Sequence, residues 1–256
     1  MLQRASAADG DTSATLAATR VARMGGRVFE TIGRFRVDSV GIGARAKIAR
    51  RAERLQEVAA DLCRLHGFDI HVEGRLPERP VVLVANHVSY VDAPVLASLT
   101  PCTAIAKGEV RRWPIIGAGA QALGALFVDR ADPMSGAIAL RRAMRALAAG
   151  VSVLGFPEGT TSRGDDVLPF RRGLFGLAQI CDVPVVPIAI HYSTADLRWY
   201  GDAWFLPHYL RAAMRPRSLI NVRIGPPIPA RTLHSPEDLA HRVRSTIRSL
   251  VWRLRA

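Results

Sequence analysis

Residues 81–92 read VVLVANHVSYVD, an unbroken apolar run followed at once by a polar stretch that contains His87 and ends at Asp92. An apolar run of this length is typical of a β-strand that is covered on both faces. Strand ends in α/β sheets are where catalytic and binding groups collect. The stretch therefore predicts a buried strand that places His87 at a functional edge of a sheet.

Strands and helices alternate on both sides of this run. The proline-containing segment 183–191 is predicted to lie at a sheet edge or to bend, because proline cannot donate to a strand ladder. The alternation indicates one α/β domain at residues 67–256. Strands are predicted at 68–72, 81–85, 104–107, 125–128, 151–156, 183–191 and 220–224, and helices at 135–149, 173–180 and from 235 to the C-terminus.

The N-terminal part of the chain has a different composition. Residues 1–14 are small and polar, which predicts a disordered start. Residues 15–66 form a basic segment, and within it residues 44–66 show apolar side chains at helical spacing among arginines. Such an amphipathic helix either lies in a lipid headgroup layer or docks on the domain with a solvated basic face.

The charge of the chain is strongly positive. It has 256 residues and a net charge of +13, with Lys47 and Lys107 as its only lysines. Such a surface attracts lipid headgroups, acidic carrier proteins or nucleic acid. The arginines are scattered and no nucleic-acid recognition motif is present, so nucleic acid is not an expected partner.

The cysteines and the hydropathy pattern indicate the cellular compartment in which the protein is expected to work. Cys63, Cys102 and Cys181 are odd in number and far apart, which argues against a disulfide framework or a zinc site and favours a reducing cytoplasmic setting. No apolar stretch reaches the roughly 18 residues that a transmembrane helix needs. Any contact with a membrane is therefore expected to be interfacial.

The pairing of His87 with Asp92 is the strongest chemical signal. An imidazole that takes a proton needs a partner to fix its tautomer and stabilise its cation. Asp92, in the first turn of the helix that follows, can reach His87 through one bent turn. The same residues also allow a purely structural explanation, in which Asp92 caps the helix and His87 bonds locally.

Three further segments carry polar residues at strand ends. Residues 124–130, GALFVDR, end in Arg130. An arginine at the end of a strand can bind an anion, but Arg130 is equally explained as an ordinary surface arginine. Residues 156–164, FPEGTTSRG, form either an anion-binding loop or a polar turn. Residues 183–188, VPVVPI, indicate only an apolar bent strand.

In this order and at these separations, the four motifs resemble the glycerolipid acyltransferase family, which includes lysophosphatidate and other lysolipid acyltransferases. The N-H-x-x-x-x-D block corresponds to residues 86–92, and the Pro-Glu-Gly-Thr loop to residues 157–160. The resemblance covers about residues 55–230. It implies a mixed central sheet flanked by helices, with an amphipathic helical N-terminal element against the bilayer.

The resemblance also implies roles for individual residues. His87 acts as general base on an acceptor hydroxyl and Asp92 orients it, while the acyl group comes from acyl-CoA or acyl-carrier protein. No metal and no bound cofactor are implied, because the acyl carrier is a substrate. The residues implied in binding the acceptor headgroup are Arg130, Glu158, Gly159 and Thr160.

The acceptor is predicted to be 1-acyl-glycerol-3-phosphate, which would give phosphatidic acid in phospholipid biosynthesis. Thr161 stands where many phosphate-selecting members of the family have arginine, so a lyso-ornithine lipid or another lysophospholipid is the alternative. A non-catalytic basic protein that binds membranes or nucleic acid is a distant alternative. The expected location is peripheral, on the cytoplasmic face of the inner membrane.

Overall fold

The computed structural model describes residues 2–78, 80–129 and 131–255, with side chains from residue 13 onward except residue 133. The strands are β1 (Phe68–Glu73), β2 (Val82–Ala85), β3 (Cys102–Lys107), β4 (Leu126–Val128), β5 (Ser152–Gly155), β6 (Val185–Tyr192) and β7 (Ser218–Ile224). The α-helices are α1 (Leu2–Asp38), α2 (Ala44–Leu65), α3 (Asp92–Ala97), α4 (Ile116–Ala122), α5 (Pro133–Ala148), α6 (Gly173–Cys181), α7 (Phe205–Ala213) and α8 (Pro236–Arg255).

The seven strands form one sheet in the order β1-β7-β6-β2-β5-β3-β4. Neighbouring strands run parallel except β6 and β7, which are antiparallel. Helices cover the sheet, so the predicted mixed sheet flanked by helices is confirmed. Strand β2 lies at the centre and all its residues are buried, as its unbroken apolar run predicted.

Alternate side chains of β2 point into two different core clusters. Val82 and Val84 pack with apolar side chains of α5, α6 and α8. Leu83 and Ala85 pack with those of α2 and α3 on the other face. This is the period-two alternation of a strand, here with both faces covered. The arrangement fixes the end of β2, where the polar stretch begins.

Of the two alternatives predicted for the proline-containing strand, an edge position or a bend, the edge position was wrong. Strand β6 lies between β2 and β7. Its antiparallel ladder with β7 begins at Ile188, and Pro187 stands just before it, with its carbonyl accepting a hydrogen bond from the N–H of Gly225 at 2.8 Å. Pro184 precedes the strand. Both prolines therefore avoid positions where the ladder with β7 requires a donor.

Helix α1 extends to Leu2, through residues for which the sequence predicted a disordered start. This stretch contains several alanines, the residue with the highest helix propensity, and that composition favours a helix. Helix α2 matches its prediction closely. Among the described residues, no helix combines the length and apolar character of a membrane span.

Helix α2 docks on the domain, and its predicted contact with a lipid headgroup layer stays a prediction. Ala52, Ala59 and Cys63 of α2 are buried in the two core clusters that cover the sheet. On the outer side of α2, Arg50 and Arg54 pair with glutamates one turn further along the helix. Part of the apolar face of α2 is therefore packed against the domain. The predicted boundary between the N-terminal basic segment, which ends at residue 66, and the α/β domain that follows stays a prediction.

Candidate active site

His87 and Asp92 lie beyond the end of the central strand. His87 occupies the loop that follows β2, and Asp92 is the first residue of α3. Nδ1 of His87 lies 2.7 Å from Oδ2 of Asp92. The structure thus brings the two residues into direct hydrogen-bonding contact, through the bent turn that their spacing predicted.

The carboxylate of Asp92 is fully buried and surrounded by donors. Its Oδ2 also accepts hydrogen bonds from the backbone N–H groups of Val88 at 2.8 Å and Ser89 at 2.9 Å. Its Oδ1 accepts a hydrogen bond of 2.6 Å from the hydroxyl of Tyr192. Such charge-assisted bonds offset the cost of burying a carboxylate and fix its orientation.

The position of the imidazole ring is set on two sides. The bond to Asp92 assigns the ring proton to Nδ1, which leaves Nε2 as the basic nitrogen. The ring of Phe156 stacks on the imidazole, with centroids 4.2 Å apart and planes at 19°. The His87 side chain is 20% exposed. The arrangement suits proton transfer at Nε2.

Glu158 is buried, and its carboxylate braces the loop that carries His87. Oε1 accepts a hydrogen bond of 2.8 Å from the backbone N–H of His87, and Oε2 accepts one of 3.0 Å from that of Leu168. Burial raises the pKa of the Glu158 carboxyl to about 7, against the opposing effect of these two bonds. These contacts position His87, and the predicted binding of substrate by Glu158 stays a prediction.

The loop at residues 157–162 runs alongside His87. Gly159 adopts a φ of +71°, which favours glycine, and its N–H donates to the carbonyl of Phe156 at 3.0 Å, so this donor is already used within the turn. The N–H of Ser162 donates to the carbonyl of His87 at 2.9 Å. Gly159 and Thr160 lie on the wall of the cavity that His87 also lines. Arg130 lies outside the described residues, and its predicted role stays a prediction.

The cavity beside His87 has a volume of about 580 Å³. Its surface is mainly apolar, and its walls come from both the sheet domain and the N-terminal helices. Its polar lining includes His87, Thr160 and Thr161. We refer to it below as the apolar cavity, and its other walls include Met24, Val28, Leu55, Val58, Ala59, Leu62 and Leu123.

Two residues around the site had no role assigned from the sequence. Tyr192 ends β6 and holds Asp92. Asn86 links β2 to β6, because its amide nitrogen donates to the carbonyl of Ile190 at 3.0 Å and its Oδ1 accepts from the N–H of Ile190 at 2.9 Å. A polar side chain at the end of an apolar strand was the available signal in both cases.

Comparison with known proteins identifies the family. A family model described as Acyltransferase matches residues 68–191. A lyso-ornithine lipid O-acyltransferase from Pseudomonas aeruginosa is 36% identical over 194 residues, covering 74% of this chain and 74% of that protein. The chain belongs to the acyltransferase family. The resemblance drawn from its four motifs is thereby confirmed.

Other relatives of this acyltransferase carry two kinds of name. A lyso-ornithine lipid O-acyltransferase from Brucella abortus is 33% identical, covering 74% of this chain and 78% of that protein. The human 1-acyl-sn-glycerol-3-phosphate acyltransferase alpha is 32% identical, covering 72% of this chain and 64% of that protein. The crystal structure of the 1-acyl-sn-glycerophosphate acyltransferase PlsC from Thermotoga maritima matches with a TM-score of 0.66 at 24% identity, covering 94% of this chain and 98% of that one, and shares the fold.

Proposed function

We propose that this acyltransferase transfers a fatty acyl group from a thioester to the free hydroxyl of a lysolipid, with His87 as general base. The observation that carries the proposal is the bond from buried Asp92 to His87, which lies on the wall of the apolar cavity. A base, its orienting carboxylate and a space for an acyl chain are the parts that such a transfer requires. The donor arrives as a substrate, so the reaction involves no bound cofactor.

The chemistry follows from the free nitrogen of His87. Nε2 takes the proton of the acceptor hydroxyl as its oxygen attacks the thioester carbonyl, and Asp92 stabilises the resulting imidazolium. The tetrahedral adduct then collapses, the carbon–sulfur bond breaks, and the departing thiolate takes the proton back from Nε2. General base catalysis of this kind contributes about 10²–10⁴-fold to the rate.

The apolar cavity fits the acyl chain of the donor. Its volume of about 580 Å³ falls within the range of roughly 300–1,000 Å³ that is usual for small-molecule sites. An alkyl chain there would be removed from water, at roughly 0.8 kcal/mol per methylene. Because His87 lines the same cavity, a chain bound in it would bring the thioester carbonyl to Nε2.

For the acceptor, the relatives favour a lyso-ornithine lipid. The relatives from Pseudomonas aeruginosa and Brucella abortus both carry this name. Thr161, on the cavity wall, supplies a hydroxyl where many phosphate-selecting members have arginine, which suits a headgroup without phosphate. The second candidate is 1-acyl-glycerol-3-phosphate, favoured by the four motifs and by the human relative.

Because the proposed substrate is a lipid, we expect the enzyme to act at a membrane surface. Trp204, which is 82% exposed, and Leu206, which is 61% exposed, stand at the start of α7. They lie beside a cluster in which Tyr90, Trp113 and Trp199 pack against Phe205, and those three aromatic residues also line the apolar cavity. Exposed tryptophan and leucine suit a headgroup layer. We place the enzyme peripherally on the cytoplasmic face of the inner membrane, where its thioester donors occur.

The test is acyl transfer by the purified protein and by His87→Ala, with acyl-CoA and acyl-carrier protein as donors. Acceptors are lyso-ornithine lipid, 1-acyl-glycerol-3-phosphate and lysophosphatidylcholine. The expected result is highest turnover with lyso-ornithine lipid and no turnover by His87→Ala. His71→Ala, on the exposed edge strand β1, is the matched control and should remain active. Full activity of His87→Ala would overturn the mechanism, and preference for the phosphate-bearing acceptor would overturn the headgroup assignment alone.

A further inference from the structure

A second cavity, of about 730 Å³, lies against the edge strand β4, between α2 and α5. It differs from the apolar cavity in charge, because four arginine side chains line it and Asp132 is its only carboxylate among the described residues. We refer to it as the cationic cavity. Its arginines come from α2, from the turn after β3 and from α5, and they are Arg51, Arg111, Arg142 and Arg145.

The positive charge of the cationic cavity is not neutralised from within. None of its four arginines forms an ion pair with a carboxylate in the part of the chain that the structure describes. By contrast, Arg50 and Arg54, the neighbours on α2, are both paired. The carboxylate of Asp132 accepts the N–H of Met134 at the start of α5.

Arg51 also has a donor that the protein leaves unsatisfied, although its guanidinium lies over the ring of Phe35, 5.1 Å from the centroid. Its Nε is buried and has no hydrogen-bond partner among the described residues. The stem of Arg51 packs against Gly124, whose φ of +85° favours glycine and where an added Cβ would stand 3.0 Å from Cδ of Arg51. Gly124 thus leaves the room that this arginine needs. A buried donor without a partner is costly, and an anionic ligand would supply one.

The size and lining of the cavity indicate a ligand larger than one phosphate. Several guanidinium groups suit a molecule with phosphates at more than one position. The cavity also has an apolar part, formed by Ile48, Phe127 and Ile138, which suits a flat base. Thr103, Gln121 and Ser135 add polar contacts.

The location connects the cationic cavity to the proposed reaction. Ala125, the residue before β4, lines both it and the apolar cavity, so the two spaces adjoin there. Acyl-CoA has a nucleotide end with three phosphates and an acyl end, joined by a flexible pantetheine arm. One cationic and one apolar cavity side by side match these two ends.

We propose that the cationic cavity binds the 3′-phosphoadenosine diphosphate end of acyl-CoA. The assignment rests on the proposed function, because it makes the cavity the nucleotide subsite of the acyl donor. Phosphates also occur on the prosthetic group of acyl-carrier protein and on phosphate-bearing acceptors. Those two sources are separated by the experiment below.

The decisive variant is Arg142→Ala combined with Arg145→Ala. Initial rates are measured with acyl-CoA and with acyl-pantetheine, a thioester that lacks the nucleotide. The expected result is a KM for acyl-CoA raised roughly tenfold or more, because charge-assisted bonds are lost, with kcat little changed. The KM values for acyl-pantetheine and for the acceptor should stay as in the wild type.

Arg141→Ala is the matched control, since Arg141 lies on the same helix but does not line the cavity. Calorimetry with 3′,5′-ADP as the probe gives a readout that does not depend on turnover. Binding should be measurable for the wild type and Arg141→Ala, and lost in the double variant. If no donor supports transfer while 3′,5′-ADP still binds, the proposed function fails and the nucleotide site stands.

Three outcomes would overturn the nucleotide assignment. In the first, the KM values for acyl-CoA and acyl-pantetheine rise together. In the second, only transfer from acyl-carrier protein is weakened, which would assign the cavity to that donor. In the third, the KM for a phosphate-bearing acceptor rises instead, which would make the cavity part of the acceptor site.

Discussion

The hydroxyl of Tyr192 donates a hydrogen bond of 2.6 Å to Oδ1 of Asp92, across 100 positions of sequence. Burial, and then the charge of Asp92, hold the pKa of Tyr192 well above its ordinary value, so the phenol keeps its proton and remains a donor. Asn86 ties the same two parts of the chain together through Ile190. The pairing of β2 with β6 therefore supports both residues of the His87–Asp92 pair.

Tyr192→Phe should lower kcat about tenfold and leave both KM values near those of the wild type. The reason is that Asp92 keeps its bond to His87 but loses one of the contacts that orient it, a bond to a charged group worth roughly 1.5–3 kcal/mol. The free energy of unfolding should fall by a similar amount. Steady-state kinetics and urea denaturation measure the two effects, and Tyr200→Phe, an exposed tyrosine, is the control. An unchanged kcat alongside a lower stability would make Tyr192 purely structural.

Asp92→Asn should lower kcat by about 10²–10⁴-fold, because a neutral amide cannot stabilise the imidazolium of His87. The asparagine amide can also place an N–H donor against the N–H groups of Val88 and Ser89. In the wild type, these two groups donate to a carboxylate oxygen of Asp92. Pre-steady-state measurement of acyl transfer, with circular dichroism to verify the fold, tests this. Activity within a factor of a few of the wild type would exclude Asp92 from the proton transfer.

Glu158 should make the free energy of unfolding depend on pH. Burial raises the pKa of its carboxyl from 4.5 to about 7, so between these values the folded protein holds a proton that the unfolded chain has lost. Its contribution to stability is therefore fully present below the lower value and lost as pH rises through the higher one. The decrease is on the order of 1–3 kcal/mol.

Urea denaturation of Glu158→Gln and of the wild type between pH 4 and 8 measures this effect. Glutamine cannot ionise, so the difference between the two proteins should change across the window in the direction given above. Glu109→Gln, which alters an exposed glutamate, should track the wild type. A difference between wild type and Glu158→Gln that is constant with pH would contradict the raised pKa.

The fold was predictable wherever its signal is local. The apolar run of β2 and the helical spacing of α2 and α8 gave their elements within a few residues. Strand β6 was misplaced because its prolines were weighed alone, without the start of its ladder with β7. Helices α4 and α7 were not predicted, since they are short and their apolar faces are defined by tertiary packing.

In the candidate site, too, contacts between residues close in sequence were predictable and contacts between distant residues were not. His87 and Asp92 are five positions apart, so their contact could be predicted from spacing. The bond from His87 to Glu158 spans 71 positions, and that from Tyr192 to Asp92 spans 100. Such contacts depend on strand order, which a single sequence does not specify. Sequence therefore predicted the contact of His87 with Asp92 but did not reveal the residues that hold this pair in place.

Ala59→Phe should shift the donor preference toward shorter acyl chains. Ala59 lies on the wall of the apolar cavity, and a phenyl ring there would occupy space proposed for the chain. The ratio of long-chain to short-chain turnover should fall about tenfold or more. Ala60→Phe, at the next position of α2 and not on the cavity wall, is the control. An unchanged chain-length profile in Ala59→Phe would show that the acyl chain does not bind in this cavity.

Trp204→Ser combined with Leu206→Ser should weaken binding to lipid vesicles without damaging the fold. Both side chains are exposed, and each would lose roughly 1.5–3 kcal/mol of burial in the headgroup layer. Cosedimentation with anionic vesicles is expected to show affinity reduced about tenfold or more, while turnover of a water-soluble short-chain lysolipid stays unchanged. Trp252→Ser is the matched control, since Trp252 is exposed on α8, which packs on the other face of the sheet from α7. Equal loss of vesicle binding in both proteins would show that the start of α7 is not the membrane contact.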